Sequence, residues 1–375
     1  MRCRLLLALG LWAATTLLLA AGARAEPPDS SATPVPAGAP APPIAWTPRL
    51  LVQTDAVVGH HGPTTPPIED GTAHPGLYVR RARLGADAAS GWWRGRVIVE
   101  ATARPEVAAG RVDAIAGELG GGAPRAPEAF IAFVPGKGFA LSAGSMRVPL
   151  GLSRQIDEGD LTLPERARII TRATPDFRVG AAATGDLGLL QYALGTYAAA
   201  PTLGADFATG GDLTVVRLAG EPIGPMGVAP HLRPHDDPWY PWWRFSAGVS
   251  AFYATLPGAN EFGVGGDGQL QWLRFNFAGE VLWTRRAAAD RVGFTLEPGV
   301  FVWRDRLELV ARAEWFNDEV GPETITDAWG ASLGATFFSL AGHARLQAAY
   351  TVRAVPAAGA PPPSGWATLR ATFKL

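Results

Sequence analysis

From Arg49 onward the chain reads as short segments in which apolar and polar side chains alternate, each ending at Gly, Pro, Asp or Asn. A period of two sends successive side chains to opposite faces of a strand, whereas a helix would bring them together every three or four positions. In Arg274 to Arg286, one face carries Phe275, Phe277, Gly279, Val281 and Trp283, and the other Arg274, Asn276, Ala278, Glu280, Thr284 and Arg286. Arg306 to Phe316 repeats the pattern, with Leu307, Leu309, Ala311, Ala313 and Trp315 opposite Arg306, Glu308, Arg312 and Glu314. Gly342 to Arg353 places Ala344, Leu346, Ala348, Tyr350 and Val352 opposite His343, Arg345, Gln347, Thr351 and Arg353, and 242–255 and 366–375 follow the same rule.

The predicted strands are 49–58, 76–86, 94–103, 128–134, 139–147, 177–185, 189–198 and 212–220, with further ones beginning near Trp242, Phe262, Arg274, Arg291, Arg306, Thr326, Gly342 and Gly365. The total is about sixteen, or about fourteen if a weak early segment drops out, an even number as bacterial single-chain barrels require. Tight links such as Arg304-Asp305 and 339–342 alternate with longer ones such as 221–240 and 355–364. Short turns on one side and long loops on the other are expected of such a barrel.

A soluble sandwich also alternates, so the composition of the two faces decides. The polar face here holds mostly Arg, Glu, Gln, Thr and Gly, while Tyr253, Trp283, Trp315, Tyr350 and Trp366 stand near strand ends. That arrangement fits two interfacial aromatic girdles around an apolar exterior and a polar lumen. The expected fold is all-β, a transmembrane antiparallel barrel, with a soluble periplasmic β protein as the alternative.

Composition sharpens this picture at a few points. Across 375 residues, 33 basic and 34 acidic side chains leave a net charge of -1, which gives no basis for binding nucleic acid or another polyanion. The 13 Trp suit a protein with a membrane interface to furnish. Residues 1–25 have a basic start at Arg2 and Arg4, an apolar run from Leu5 to Ala21, and Ala23 and Ala25 framing Arg24, the pattern of a cleavable secretory signal. The one Cys, Cys3, lies within that leader. Residues 26–48, rich in Pro, Ala and Ser, read as an extended periplasmic tether, and 49–375 as the barrel. After the leader no apolar run approaches the ~20 residues of a spanning helix, so a closed barrel is the one way left to cross a membrane.

The longest interruption between strands runs from Gly144 to Phe177 and is charged, with three prolines (GSMRVPLGLSRQIDEGDLTLPERARIITRATPDF). Two placements are open for 148–176: folded into the lumen, or outside with solvated charges. Inside, its charges would act where the field is poorly screened. Arg147, Arg154, Arg166, Arg168 and Arg172 are then candidate anion contacts, because guanidinium is always charged and pairs bidentately with phosphate or carboxylate. Asp157, Glu158, Asp160 and Glu165 are their candidate partners.

Along the wall, alternation points Arg81, Arg83, Arg94, Arg96, Arg244, Arg274, Arg286, Arg312, Arg345, Arg353 and Arg370 into the lumen against Glu100, Asp267, Glu280, Glu297, Glu308 and Glu314. Arginine outnumbers acid, a mild bias toward anions. Cross-strand ladders, for example Arg274 and Glu280 with Arg312 and Glu314, are the structural explanation of many of them. His231 and His235 flank Pro234 beside Asp236 and Asp237 and read as a surface loop rather than a metal site, and His60 and His61 as exposed. No phosphate loop, HExxH or GxSxG is present, so neither cofactor nor catalytic residue is expected.

LYVRRARLGADAASGWWRGRVIVEA (Leu77 to Ala101), GSMRVPLGLSR (Gly144 to Arg154), GDLTLPERA (Gly159 to Ala167) and FRVGAAATG (Phe177 to Gly185) resemble, in the same order, segments of the phosphate-selective porin O and P family. The resemblance implies a sixteen-stranded outer-membrane barrel, a homotrimer surrounded by lipid and lipopolysaccharide, that passes anions, phosphate among them. The family's lysine clusters are missing, since the lysines are Lys137 and Lys374 alone. The expected function is therefore passive diffusion of small polar or anionic solutes. An outer-membrane lipid hydrolase and a non-conducting scaffold or adhesin barrel are the alternatives; His343, read as facing inward, counts against the hydrolase.

Overall fold

A computed structural model describes residues 44–60, 76–101, 125–136, 138–199, 211–223, 243–256, 259–286, 289–303, 306–319, 325–339, 344–354 and 363–374. The strands are β1 (Ala45–His60), β2 (Gly76–Ser90), β3 (Trp93–Ala101), β4 (Arg125–Gly136), β5 (Phe139–Arg147), β6 (Phe177–Asp186), β7 (Leu190–Ala198) and β8 (Asp212–Gly220). They continue as β9 (Trp243–Leu256), β10 (Ala259–Trp272), β11 (Phe275–Arg286), β12 (Ala289–Trp303), β13 (Leu307–Glu319), β14 (Ile325–Ser339), β15 (Ala344–Ala354) and β16 (Ser364–Lys374). Each pairs antiparallel with its neighbours, and β1 closes on β16 from Leu51 opposite Lys374 to His60 opposite Gly365. Closure leaves no open strand edge, so the sheet can stand in lipid. The chain is an outer-membrane type β-barrel of sixteen strands.

The two faces separate as the alternation predicts. Leu309, Leu346 and Tyr350 are exposed on the outside, while Glu308, Arg345 and Gln347 are buried inside. Outward aromatics gather near strand ends: Trp272 stacks on Phe275 with ring centroids 5.9 Å apart, and at the other end Phe294, Trp315 and Trp329 form a cluster with centroids 6.1 to 6.4 Å apart. Trp366, read from sequence as a girdle residue, departs from this. It is 1 % exposed and lies under the Arg353 guanidinium, 5.1 Å from the ring centroid. It shares its parity with Thr368 and Arg370, and in a strand parity decides the face before side-chain type does.

The wall also starts earlier than expected, because β1 begins at Ala45 and takes in the end of the proposed tether. β8 ends at Gly220 and β9 begins at Trp243 at the barrel end that carries the tight turns Gly91-Trp92 and Leu273-Arg274, whereas the long links are expected at the other end; most of the link between the two strands lies outside the described residues. Arg274 has the parity of a lumen residue but sits exposed in that second turn, so it contributes to no wall ladder.

The packed core of this barrel is inside it. Residues 148–176 leave β5, run through the lumen as two short helices (Leu152–Gln155 and Arg168–Ala173) with a single 3-10 turn between them (Glu158–Asp160), and return to β6. Near the loop's start Gly151 adopts φ 69, a left-handed conformation, and a Cβ there would lie 2.9 Å from Glu280 Oε2. Glycine alone turns the chain here without strain while letting the backbone approach the wall.

Candidate functional site: the lumen and its inserted loop

The loop makes three kinds of contact in turn. Val148 and Leu150 open it by packing into an apolar cluster with Met146, Tyr197, Leu213, Val215 and Phe252. Gly151 N–H then donates to Ser250 Oγ at 3.2 Å, and Ser153 N–H donates to Glu280 Oε1. At the far end Ile169, Ile170 and Ala173 pack on Leu282 and Phe316, so both shoulders of the loop are seated by buried apolar surface.

Between the shoulders, the tip is held by charge. Arg83 bonds Glu100 at 2.5 Å and Asp157 at 3.1 Å, and Arg81 pairs with both Glu158 and Glu100. Asp160 accepts from Arg345 at 2.7 Å and Lys374 at 2.6 Å. Glu165 is shared by Arg80 at 2.6 Å and Arg370 at 3.0 Å, and Arg370 also grips Asp55 with two bonds of 2.7 Å. Loop carbonyls complete the seat: Gln347 donates to Leu161 O at 2.9 Å, Thr336 to Thr162 O at 2.6 Å, and Arg312 to Glu165 O at 2.7 Å. Each acid is met by fixed donors in a confined space, where an ion pair keeps more of its attraction than in bulk water.

The loop arginines act within the loop. Arg154, fully buried, bonds Thr174 Oγ1 and O at 2.9 Å and lies 3.6 Å from Asp176. Arg166 donates to the carbonyls of Ser153 and Ile156, and Arg147 reaches Gln155 O and Ile156 O at 3.2 and 2.8 Å from above the Phe177 ring. They cross-brace its two limbs. Burial first, then the like charges of Arg147 and Arg154, brings Arg166 down to about 9, still protonated at neutral pH. Burial raises Asp157, but Arg83, Arg147, Lys374 and the Gly159 N–H outweigh it and hold the carboxyl well below its ordinary value. Arg168 and Arg172 stand on the second helix, and their side chains fall outside the described residues.

On the wall, Arg81, Arg83, Glu100, Arg345 and Arg370 all join the loop network. Arg312 pairs with Glu297 at 2.9 Å and Glu314 with Arg353 at 3.5 Å, while Glu280 turns to Ser153; the expected ladder of these groups with Arg274 does not form. Glu308 takes a hydrogen bond from Asn276. Arg96 bridges Asp87 at 2.6 Å and Glu128 at 2.9 Å, Arg244 is buried, Arg286 is half-buried at the end of β11, and Arg94 is exposed near the β2–β3 turn, bonded to Gly91 O at 2.6 Å. All six histidines, including His231, His235 and His343, have side chains outside the described residues, and among the described residues no cluster of metal-ligating side chains occurs.

Sequence reading missed Arg80, Asp55, Gln53 and Arg217. A β-bulge explains the first: Gln53 pairs with Arg81 and Thr54 with Val79, so Arg80 is the extra residue and both arginines are buried. Arg217 clasps Asp267, at 2.8 Å for one bond, and donates to Ser250 Oγ at 3.0 Å. A lone charge on one parity face of an otherwise apolar segment, as in DLTVVRLAG, was the available signal.

Beyond the apolar cluster around Val148 and Leu150, toward the tight-turn ends of β4 to β8, the loop leaves space beside the wall. A cavity of about 320 Å³ remains there, roofed by Pro149 and Gln155 and walled by Thr184, Gln191, Arg217 and small apolar residues.

No family model matches the chain, and no curated protein matches it. Solved structures do. A loop-deletion variant of OmpT, an outer membrane protein of Vibrio cholerae, superposes with a TM-score of 0.61 at 10% identity, covering 88% of this chain and 99% of that one. The fold is that of an outer-membrane barrel. An anion-selective porin from Comamonas acidovorans (TM-score 0.57, 11% identity, 89% and 100% covered) is similar over the same extent. So is the outer membrane channel DcaP of Acinetobacter baumannii (TM-score 0.56, 11% identity, 88% and 97% covered).

Proposed function

We propose that the protein is an outer-membrane channel for passive diffusion of small polar solutes, with the loop 148–176 as its constriction. The observation that carries this reading is the loop's seat: it is bonded to β1, β2, β9, β11 and β12 to β16, packs on β7 and β8 through Val148 and Leu150, and leaves the cavity beside it toward the tight-turn ends of β4 to β8. A barrel that only anchored or displayed something would have no need to narrow its lumen and leave a cavity beside the narrowing. The porin and channel among the similar folds support the same class.

On this reading the arginines mainly build the constriction. Arg81, Arg83, Arg345 and Arg370 are each paired with acids, so their field at the passage is largely cancelled and the anion preference is weak. Phosphate selectivity of the kind the family resemblance implies would need cations facing the passage, and Lys374 is engaged with Asp160. The apolar outer band meets outer-membrane lipid and lipopolysaccharide, and assembly as a homotrimer belongs to the proposal; so does export by the 1–25 leader, with a tether ahead of Ala45. Purified folded protein in a planar bilayer is expected to give discrete conductance steps with a reversal potential close to zero, slightly on the anion side, in a salt gradient. Absence of conductance would remove the channel reading.

A further inference from the structure

The cavity beside the loop has a chemistry of its own. Arg217, the cation on its wall, is held by two bonds to Asp267 and a third to Ser250, and the guanidinium and carboxylate side chains are 7 % and 3 % exposed. A guanidinium already matched bidentately to a carboxylate has little left for an incoming anion. Asp186, the wall's acid, accepts from Gly188 N–H at 2.8 Å and would repel one. The buried loop arginines point elsewhere: Arg154 to Thr174 and Arg166 to Ser153 and Ile156.

Apart from the Asp186 carboxylate, what remains to meet a solute is neutral. Gln155 on the roof spends one amide hydrogen on Gly151 O at 3.0 Å, and an amide carries a second N–H and a carbonyl besides. Gln191 and Thr184 stand on the wall with the same dual capacity to donate and accept. Between them lie Val134, Ala140, Ala193 and Ala219, small side chains that leave room and present only C–H surface. The volume of about 320 Å³ is at the lower end of small-molecule sites. Resting on the channel reading above, we propose that this cavity is a subsite for small uncharged polyhydroxylated solutes. Their hydroxyls donate and accept like the amides, and their C–H faces suit the alanines. Binding by neutral hydrogen bonds is weak, on the order of millimolar, as a passage site requires if a solute is to leave again.

The experiment compares myo-inositol with myo-inositol monophosphate, the same ring with and without charge, as blockers of the ion current through single channels in a planar bilayer. Myo-inositol is expected to reduce the current saturably, half-saturating in the millimolar range, and the monophosphate to do so at least fivefold less well. Gln191→Leu, on the wall and away from the loop's bonding, is expected to raise the half-saturating concentration at least fivefold, with discrete conductance steps showing that the channel has folded. Gln155→Leu tests the roof by the same rise in half-saturating concentration. Current without saturable block by myo-inositol, or tighter block by the monophosphate, overturns the subsite while leaving the channel reading intact. Absence of current overturns both.

Discussion

On the side of β1, β2 and β13 to β16 the loop is met by Arg80, Arg81, Arg83, Arg312, Arg345, Arg370 and Lys374, and its acids and carbonyls answer them one by one. Across the lumen, on β7 to β9, the same loop is met by Tyr197, Leu213, Val215 and Phe252, and Val148 and Leu150 fill the space between them. Ion pairs fix direction and register but return little net energy once their desolvation is counted, whereas apolar contact is non-directional and favourable in proportion to area. The apolar side therefore supplies much of the hold, and the charged side sets where the tip goes. The cavity lies below the apolar side, away from the latch, so the proposed passage and the fastening occupy different parts of one lumen.

The largest test removes the latch altogether. Replacing 158–167 by a short Gly/Ser link deletes Glu158, Asp160 and Glu165 and opens the β1, β2 and β16 side. Single-channel conductance is expected to rise severalfold, with larger solutes entering proteoliposomes. Unchanged conductance would mean that the loop does not limit the passage.

Next in size is the loss of one cation from the charged side. Arg370→Met leaves Asp55, which is 0 % exposed, with Arg80 at 3.4 Å as its remaining partner. Breaking a buried pair by removing one member costs about 3–5 kcal/mol, because the survivor stays desolvated. Loop cleavage by added protease is expected to speed up and the midpoint of thermal unfolding to fall; adding Asp55→Leu should recover part of both. On the apolar side, Leu150→Ala removes packing atoms that the cluster cannot replace, for about 2–5 kcal/mol. Here no second substitution of a charge should rescue it, and a rescue would erase the distinction between the two sides.

Much of this architecture could be read in advance, and the failures are instructive. Period two is a property of each strand alone, so Glu308 against Leu309 and Arg345 against Leu346 were legible without knowing any neighbour. Trp366 was misread because an aromatic near a strand end was given to the girdle, although its parity with Arg370 already placed it inside. Arg80 was out of reach, since a bulge depends on the pairing of two strands and leaves no mark in either. The loop's seat was likewise beyond local pattern: Asp160 meets Arg345 and Lys374 from the far end of the chain, and only closure of the barrel brings them together. For the same reason the charged positions were visible as charges, but not as pairs.

The smallest effect concerns Asp157, whose side chain is 36 % exposed and so is screened by solvent, limiting its share to about 1 kcal/mol or less. Its carboxyl is held well below the ordinary value chiefly by Arg83 against the opposing pull of burial. A depressed folded-state value means that the contribution is present above the unfolded value of about 3.9 and is lost as pH falls through the lower, folded one. Asp157→Asn should therefore loosen the tip slightly and raise conductance by well under twofold relative to the native protein. The ratio of the two conductances isolates this one group from every other that titrates. It is expected to stay constant from pH 7 to about 4 and to approach one only in stronger acid. Convergence already between pH 6 and 5 would mean that Arg83 does not latch this carboxylate, and that the charged side of the lumen holds its loop at fewer points than the geometry assigns.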